Sequence, residues 1–499
     1  MISISLQDGD LVLSILKLSV DRLPSFLLNQ CFAYCSNFSK GFKFQKEELI
    51  QMWMAQGFII QPQDGRNLVI EDIGDKYFNI VLSRSLFQDV VKDERGRITH
   101  CKMHDLIYEI ACTISHSKKL HSGHANLLEE GSCTNWSRKS VVNLRTFICD
   151  GQMLHEMIHD RITNCFRLRV LILNSSVQNL PDSIGKMKHL RYLDISDSKI
   201  KEIRYSFSLL YNLQTLKLGR STKNLPNNLS KLVSLRHLQF PILNFTEKTK
   251  QMPPHLSRLT QLQTLSGFVV GFENGCKIEE LGPLKNLKGR LELSNLEHIK
   301  SKEEAMTSKL VEKKNLNELL FEWDLHILRE GSINNNNDLE VLEGLQPHQS
   351  LQFLSIKNFA GQFLPSGIFV ENLVVIHLRH CERCEILPML GQLSNLEELN
   401  ISSLNRVRSI GNEFYGNDAT HLALFPKLKK FVLSQMYSLE QWEELVVASN
   451  DAIFPRLEDL NIRGCPKLTS IPNIFGSSSH AGVRNFRSLH IYGCEYLWM

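Results

Sequence analysis

The chain has 499 residues, of which 42% are hydrophobic, and its formal net charge at pH 7 is +4. A chain of this length needs several compact domains or a repeat architecture, and its apolar content excludes wholesale disorder. The small net charge does not indicate nucleic-acid binding, and the twelve cysteines lack the spacing of a disulfide framework, as in an intracellular protein with reduced thiols.

The N-terminal segment is not expected to be a signal peptide. MISISLQDGDLVLSILKLSV lacks a basic leader and places Asp8 and Asp10 before its apolar run. No window approaches the roughly 20 apolar residues that a membrane-spanning helix needs. The sequence therefore predicts no membrane span, and the expected compartment is the cytoplasm, with the nucleus or the periphery of a membrane as alternatives.

Residues 11 to 118 show helical periodicity interrupted by one hairpin. FQKEELIQMWMAQGFI and EDIGDKYFNIVLSRSLFQDV predict two helices, the first closed by Gly57. VVKDERGRITHCKMHD predicts a hairpin around Glu94-Arg95-Gly96, after which MHDLIYEIACTI resumes helical spacing. The apolar positions of the three helices are Leu49, Ile50, Trp53 and Met54, then Ile73, Tyr77, Ile80 and Val81, then Leu106, Ile110 and Ile114. Helices followed by a hairpin predict a winged-helix subdomain.

From about residue 144 onward the pattern Leu-x-x-Leu-x-Leu recurs. Copies begin at Leu168, Leu190, Leu213, Leu235, Leu351, Leu373, Leu396, Leu428 and Leu457. The first four are 22, 23 and 22 residues apart by subtraction, and periods of about 20 to 29 are those of leucine-rich repeats. Later steps of 32 and 29 imply inserted loops.

The predicted fold is α/β, with an N-terminal winged-helix subdomain followed by a leucine-rich-repeat solenoid, or horseshoe. We assign residues 1–125 to the winged-helix part, 126–143 to a linker and 144–499 to the repeats.

In each repeat the leucines of a short strand point into the core, and the intervening residues point out of the concave face. The outward candidates are Arg169, Arg191, Tyr192, Lys217, Arg236 and His237 in the early repeats and Glu397, Glu398, Glu458 and Asp459 in the later ones, where Lys429 and Lys430 interrupt the acidic run. One interpretation is a solvated face without a partner. The other is a charge-graded docking surface for a protein.

Several stretches resemble consecutive motifs of one family. CFAYCSNFSKGFKFQKEELIQMWMAQGFI, IGDKYFNIVLSRSLFQ and KMHDLIYEIA look like those of plant intracellular immune receptors, the nucleotide-binding leucine-rich-repeat disease resistance proteins of the coiled-coil class. LEGLQPHQSL and CEILPMLGQLSNLEELNISSLNRVRSIGNEFYG in the repeats are also typical of that class. The family usually has Phe-Pro-Lys-Asp where Phe38-Ser39-Lys40-Gly41 stands here and a tyrosine in place of Val20, which predicts one looser loop.

The resemblance gives the Met-His-Asp triplet a role. In that family its histidine contacts the β-phosphate of bound ADP and holds the receptor closed, so Met103, His104 and Asp105 would form this sensor. A histidine that donates to a phosphate makes a charge-assisted hydrogen bond worth about 1.5 to 3 kcal/mol. Asp105 would fix the imidazole or the start of the following helix. The alternative is that His104 is simply a polar residue at a helix start.

The phosphate loop of that family, Gly-x-x-x-x-Gly-Lys followed by Ser or Thr, has no counterpart in this sequence. Gly185-Lys186 is followed by Met187 and has Leu180 where the first glycine should stand. The magnesium-binding acidic strand and the coiled coil have no counterpart either. We therefore expect ADP or ATP only in a longer receptor, and none bound by this chain alone.

Two motifs could instead bind metal. His155-Glu156-Met157-Ile158-His159 matches the helical pattern of zinc proteases, but no third ligand follows at the usual distance. Cys381 and Cys384 form one Cys-x-x-Cys pair without the second pair that a zinc ribbon needs, which favours buried packing. Cys31 and Cys35, one helical turn apart, are also expected in the core. No nucleophile elbow or catalytic triad is visible, so the chain is predicted not to be an enzyme.

DNA binding is the remaining rival for a winged helix. The candidate helix KEELIQMWMAQGF carries one lysine and two glutamates, whereas a recognition helix needs several Arg, Lys or Asn.

The expected function is an intracellular immune receptor, or the C-terminal part of one. Its repeats would recognise a pathogen effector or a guarded host protein and contact a nucleotide-binding domain. The alternative is a truncated, non-signalling scaffold or decoy that binds another protein.

Overall fold

The computed structural model describes residues 20, 22–61, 69–93, 95–117, 124–126, 143–149, 164–174, 177–241, 252–324, 337–416, 424–443, 453–472 and 486–497. It divides into two compact units, Met1–Phe240 and Pro241–Met499. Among the described residues, no helix is long and apolar enough to cross a membrane.

The first unit begins with a winged helix. Its helices are α1 (Phe26–Tyr34), α2 (Lys46–Gln56), α3 (Ile70–Ser83) and α4 (Asp105–Ser117). Its strands are β1 (Lys43–Gln45), β2 (Phe87–Lys92) and β3 (Ile98–Met103). The strands pair antiparallel in the order β1-β3-β2, so the predicted hairpin is confirmed as the wing between β2 and β3.

Local chemistry sets the helix ends. The Ser25 hydroxyl accepts a hydrogen bond from the amide of Leu28 at 3.1 Å, which caps α1. Gly57 closes α2 at φ +76°, a left-handed conformation in which a side chain would be strained. The predicted end of that helix is therefore confirmed.

The apolar face of α4 differs from the prediction by one position. Ile107, Ile110 and Ala111 are buried, whereas Leu106 is 38% exposed. The helix begins at Asp105, and the buried residues follow the three- and four-residue spacing of one face. The expectation that Leu106 belongs to this face is thus wrong.

The core of the winged helix is aromatic. Phe32, Trp53 and Phe78 are fully buried, and Phe78 stacks on Phe87 with ring centroids 5.5 Å apart. Large aromatic side chains remove the most apolar surface from water, so this small subdomain obtains much of its stability from them. The predicted burial of Cys31 and Cys35 is confirmed.

Six parallel strands of repeats complete the first unit. They are β4 (His124–Asn126), β5 (Thr146–Ile148), β6 (Val170–Ile172), β7 (Tyr192–Ile195), β8 (Thr215–Leu218) and β9 (His237–Gln239). Neighbours in chain order pair in parallel. Because β4 pairs with β5, the sheet extends to residues before 144. The opposite side carries short 3-10 turns, Asp182–Lys186, Tyr205–Leu209 and Leu229–Lys231.

The second unit continues the repeat pattern. Its strands are β10 (Thr264–Leu265), β11 (Gly267–Val269), β12 (Lys288–Ser294), β13 (Asn315–Glu322), β14 (Phe353–Lys357), β15 (Val375–Arg379), β16 (Glu398–Ser402), β17 (Ser409–Ile410), β18 (Lys430–Ser434), β19 (Gln441–Trp442), β20 (Asp459–Arg463) and β21 (Ser488–Tyr492). Nine of them, from β11 to β21 without β17 and β19, form one sheet, and β17 pairs separately with β19. Its helices are α5 (Lys302–Met306), α6 (Asn337–Gly344) and α7 (Asn412–Tyr415).

Lys313 and Glu297 are ionisable side chains that lie largely out of contact with water in the second unit. Lys313 is 1% exposed and donates to the carbonyls of Leu281 and Leu284 at 2.8 and 3.1 Å. Glu297 has a side chain 7% exposed, and its Oε2 accepts the amide of Asp324 at 3.0 Å. Burial, with the nearby charges of Asp324 and Asp338, raises the pKa of Glu297 to about 7 against the hydrogen bonds that lower it.

We therefore predict that Glu297→Gln makes the stability of the chain less dependent on pH. A carboxyl whose folded-state pKa is raised favours folding below its unfolded value and loses that contribution as pH rises through the folded value. Between about pH 5 and about pH 8 the wild type should lose on the order of 2 kcal/mol more than the variant. Urea unfolding at each pH measures this, with the exposed Glu312→Gln as control. Identical pH profiles for wild type and Glu297→Gln would contradict it.

Candidate functional site

His104 lies at the junction between β3 and α4. Its Nδ1 accepts a hydrogen bond from the amide of Leu106 at 3.1 Å, and its carbonyl accepts the amide of Tyr108 at 2.9 Å. The side chain therefore caps the first turn of α4. Because Nδ1 is an acceptor, a neutral ring carries its proton on Nε2. The exposed ring is thus held in one orientation with Nε2–H as a donor.

The neighbours of His104 divide between core and surface. Met103 is 3% exposed and is paired with Phe87 across β2 and β3. Asp105 begins α4, and its carboxylate lies 3.6 Å from the amine of Lys40. Both groups are exposed, so this ion pair contributes little to stability.

A second candidate site lies on the outward side of β5 to β9, which we call the docking face. It contains all six early outward candidates, namely Arg169, Arg191, Tyr192, Lys217, Arg236 and His237. The winged helix of the same unit covers this face, with α2 packed against β6 and β7. Ile148, Val170 and Tyr192 belong to the same buried cluster as the winged-helix core. Burial of Tyr192, which is 1% exposed, raises the pKa of its phenol well above the usual range.

Polar contacts hold the C-terminal end of α2 on the docking face. The Gln56 side-chain amide donates to the Thr146 hydroxyl at 2.7 Å, and the guanidinium of Arg169 donates to the Gln56 carbonyl. A Cβ at Gly57 would lie 3.5 Å from the guanidinium nitrogens of Arg169 and Arg191. Two arginines therefore face the negative end of the helix dipole.

Lys217 bridges the winged helix and its own sheet. Its amine contacts the carboxylate of Glu48 on α2 and that of Asp194 on β7, the latter at 2.9 Å. Burial by itself lowers the pKa of Lys217, but the charges of Asp194 and Glu48 outweigh burial and raise it. The lysine is therefore held charged between two carboxylates.

Glu71 on α3 makes the most enclosed ionic contact. Its oxygens accept from Nε and Nη2 of Arg236 at 2.6 and 2.8 Å, and Nε2 of His237 lies 3.3 Å away. The side chains of Glu71 and His237 are only 5% and 2% exposed. Burial by itself would raise the pKa of Glu71, but hydrogen bonds from His237 and Arg236 and the Arg236 charge hold that pKa far below its usual range.

The acidic partners on the winged helix are functional residues that sequence reasoning missed. Glu48 and Glu71 both lie in the first turn of a helix, where an acidic residue is expected for the helix dipole alone. In the sequence, the only indication of these two partners was the excess of basic residues on the docking face that they contact. Covalent sequence order does not show which two surfaces meet.

The later outward candidates lie in the second unit and pair along their own sheet. Glu397 accepts from Lys429 at 2.7 Å, and Glu398 lies 3.1 Å from Lys430 and 3.5 Å from His377. Glu458 lies 3.4 Å from Arg487, and Asp459 accepts from the hydroxyl of Ser488. The charged surface of the later repeats is therefore a ladder of pairs between neighbouring strands, in which acidic side chains alternate with basic ones.

Of the two motifs considered for metal binding, the structure describes one. Cys381 and Cys384 are fully buried, and burial raises the pKa of the Cys384 thiol to about 11, so they pack as thiols. The His155–His159 motif lies outside the described residues. Within the described ranges, no cluster of three His, Cys, Asp or Glu side chains could hold a metal ion.

The helix considered for DNA binding, α2, is covered within the chain. Its residues from Leu49 to Gln56 are all buried. A helix that reads a DNA groove must present its side chains to the bases, and here they face the winged-helix core and the docking face.

Three family models match parts of the chain. The disease resistance protein winged helix domain matches residues 38–111. The R13L1/DRL21 leucine-rich repeats match residues 278–404. The leucine-rich repeats of plant disease resistance proteins of the RPS2-like type match residues 346–495.

Relatives match almost the whole chain. RPP13-like protein 1 of Arabidopsis thaliana, named as a candidate disease resistance protein, is 36% identical over 98% of this chain and 48% of that protein. Disease resistance protein RGA2 of Solanum bulbocastanum is 35% identical over 94% of this chain and 46% of that protein. The chain therefore spans about half the length of these relatives.

Replacing the bridging lysine should loosen the docking face. Lys217→Met keeps the length of the side chain but leaves the carboxylates of Glu48 and Asp194 facing each other without a counter-charge. Breaking a largely buried ionic contact in this way should lower the free energy of unfolding by about 3 kcal/mol. Chemical denaturation measures the change, and Lys223→Met, which alters an exposed lysine of the next repeat, is the matched control. Equal stability of the two variants would contradict the bridge.

The contribution of Glu71 to the free energy of unfolding should persist at acidic pH. Its folded-state pKa lies below the unfolded value of about 4.3, so the contribution is full above that value and declines as pH falls toward the folded pKa. The difference in unfolding free energy between wild type and Glu71→Gln should therefore be constant from about pH 7 to about pH 5 and decrease in stronger acid. A difference that disappears above about pH 5 would show that Glu71 is not held ionised by Arg236 and His237.

Proposed function

Because the chain belongs to the plant disease resistance proteins that combine a winged-helix domain with leucine-rich repeats, we propose that it both keeps an intracellular immune receptor at rest and activates it. The early repeats hold the winged helix in the resting position, and the later repeats recognise a pathogen effector or a guarded host protein. Since the chain spans about half the length of its relatives, signalling belongs to a longer receptor.

The proposed restraint is supported by the ionic contact between the winged helix and the docking face. Glu48 and Glu71 pair with Lys217 and Arg236, and each pair spans more than 160 residues of chain. Contacts of this kind are strong while both partners are in place and costly when one is removed. A restraint built on them releases in one step once the winged helix moves away, because the separated charges regain water.

The later repeats supply a surface for recognition. Their carboxylates and amines are paired across neighbouring strands, which fixes the side chains in place before a partner arrives. A preorganised charged surface steers an oppositely patterned protein and loses little conformational entropy on binding it. Glu397 and Lys429 remain 40% and 45% exposed and so are available to a partner.

His104 is suited to sense a phosphate, although the chain does not form a whole nucleotide site. The bond from Leu106 orients the imidazole and leaves Nε2–H to donate. A bound nucleotide diphosphate would add the negative charge that such a donor stabilises. The sequence provides no glycine-rich loop for the phosphates, so His104 contributes one contact to a site whose other residues lie elsewhere. We propose no enzymatic step for this chain.

In a receptor that carries this chain, charge reversal on the docking face should release the restraint. Arg236→Glu places a carboxylate against Glu71, so we expect cell death in leaves without a pathogen. The double variant Glu71→Arg with Arg236→Glu should return toward the resting state because the pair is re-formed with opposite polarity. Arg258→Glu, at an exposed arginine of the second unit, is the control. A silent Arg236→Glu receptor that accumulates normally would contradict the restraint.

The chain by itself should not bind ADP with submicromolar affinity, because one histidine cannot replace a cradle of backbone amides. Isothermal titration of the whole chain with ADP and magnesium measures this. Submicromolar binding abolished by His104→Ala would show that the chain contains a complete site, contrary to this proposal.

A further inference from the structure

Four large apolar side chains stand out from the outer side of the early repeats. Tyr205, Leu209, Tyr211 and Val233 are 65%, 45%, 49% and 56% exposed. They lie on or beside the 3-10 turns Tyr205–Leu209 and Leu229–Lys231, on the side opposite the strands. We call these four residues, with Lys186, Lys188 and Lys231, the outer patch.

The outer patch is continuous across three repeats. Lys188, Tyr211 and Val233 each stand two residues before the leucine that opens the next strand segment, so they occupy equivalent positions in stacked repeats. The Lys188 amine donates to the carbonyl of Leu209 at 3.1 Å and lies 5.3 Å from the centre of the Tyr211 ring. Exposed apolar groups gathered in one place on a folded surface indicate an interaction site.

The repeats that carry the outer patch have an excess of positive charge. Residues 181–235 contain ten Lys or Arg against four Asp or Glu, an excess of six, whereas the whole 499-residue chain has an excess of four. The positive charge of the chain is therefore concentrated in these repeats. Lys186 and Lys231 are exposed, and the amine of Lys231 lies 3.1 Å from the Tyr205 hydroxyl. Basic side chains thus surround exposed rings.

The contact with the winged helix does not cover this patch. Of the lysines in residues 181–235, Lys217 faces the docking face and is 9% exposed, whereas Lys186 and Lys231 lie on the turns behind the sheet. The two sides of the same repeats therefore have separate roles. One side is paired with carboxylates of the chain, and the other presents lysines outward beside the exposed Arg204–Asp182 ion pair.

The geometry favours a lipid surface as the binding partner. Peptides are recognised in grooves or at open sheet edges, but here the side chains protrude from short turns. Tyrosine and leucine beside lysine are the combination that enters the boundary between lipid headgroups and acyl chains. Each basic residue near an anionic bilayer strengthens binding by about fivefold.

We propose that the outer patch docks the early repeats on an anionic lipid bilayer, with Leu209, Tyr211 and Val233 at the headgroup boundary and Lys186, Lys188 and Lys231 on the headgroups. This surface has a role separate from the recognition and restraint proposed above, since it would determine where in the cell the resting receptor is located. The docking face lies on the other side of the same repeats, so membrane binding would leave its contact with the winged helix in place.

The test is co-sedimentation of the whole chain with phosphatidylcholine vesicles that contain or lack phosphatidylserine. Binding should require phosphatidylserine. Lys186→Glu with Lys231→Glu should weaken it at least about tenfold, whereas Lys309→Glu with Lys314→Glu, the same charge change at exposed lysines of the second unit, should leave it within about twofold. Leu209→Ser with Tyr211→Ser should weaken binding without any change of charge. Thermal unfolding of each variant checks that the fold is intact.

Three outcomes would overturn the proposal. The first is no binding to phosphatidylserine vesicles at low salt. The second is equal losses in the two lysine pairs, which would mean diffuse attraction by net charge. The third is unchanged vesicle binding by the serine variant together with equally tight binding of wild type to polyglutamate or duplex DNA, which would identify an acidic macromolecule as the partner.

Discussion

One buried carboxylate, that of Glu71, fixes the position of the winged helix on the early repeats. Glu71 is removed from water between Arg236 and His237, and a charge so placed is tolerable only while both partners remain. The same contact joins α3 to β9, at the far end of the early sheet from the polar contacts of Gln56 and Thr146. The winged helix is therefore fixed at both ends of the docking face, with Lys217 and Tyr192 between them.

The apolar and ionic parts of this contact have different consequences. Burial of Ile148, Val170 and Tyr192 in the winged-helix core provides stability in proportion to area and has little directional preference. The ion pairs contribute less net stability, since desolvation offsets attraction, but they admit only one register of α2 and α3 on the strands. A contact built in this way is specific and can also be released. That combination suits the restraint proposed for the winged helix.

Sequence periodicity predicted the elements well because it depends on local rules. Gly57 had to end α2, and the repeat leucines had to lie in the core. The outward basic residues were identified, and a protein contact was one of two interpretations, but their partners Glu48 and Glu71 were not. Periodicity shows that a face is apolar or charged and does not show which other face it meets. Leu106 was placed on the wrong face of α4 for a similar reason. The sequence did not show that His104 caps the helix at Asp105, and this cap sets which residues face the core.

A double-mutant cycle on Glu71 and Arg236 measures whether these two side chains together hold the winged helix on the docking face. The unfolding free energies of wild type, Glu71→Gln, Arg236→Gln and the double variant give the coupling between the two side chains. A buried bidentate pair that holds the winged helix predicts a coupling of at least about 1.5 kcal/mol, with the double variant less destabilised than the sum of the singles. Additive effects within about 0.5 kcal/mol would show that the two side chains do not act together and that this ion pair does not restrain the winged helix.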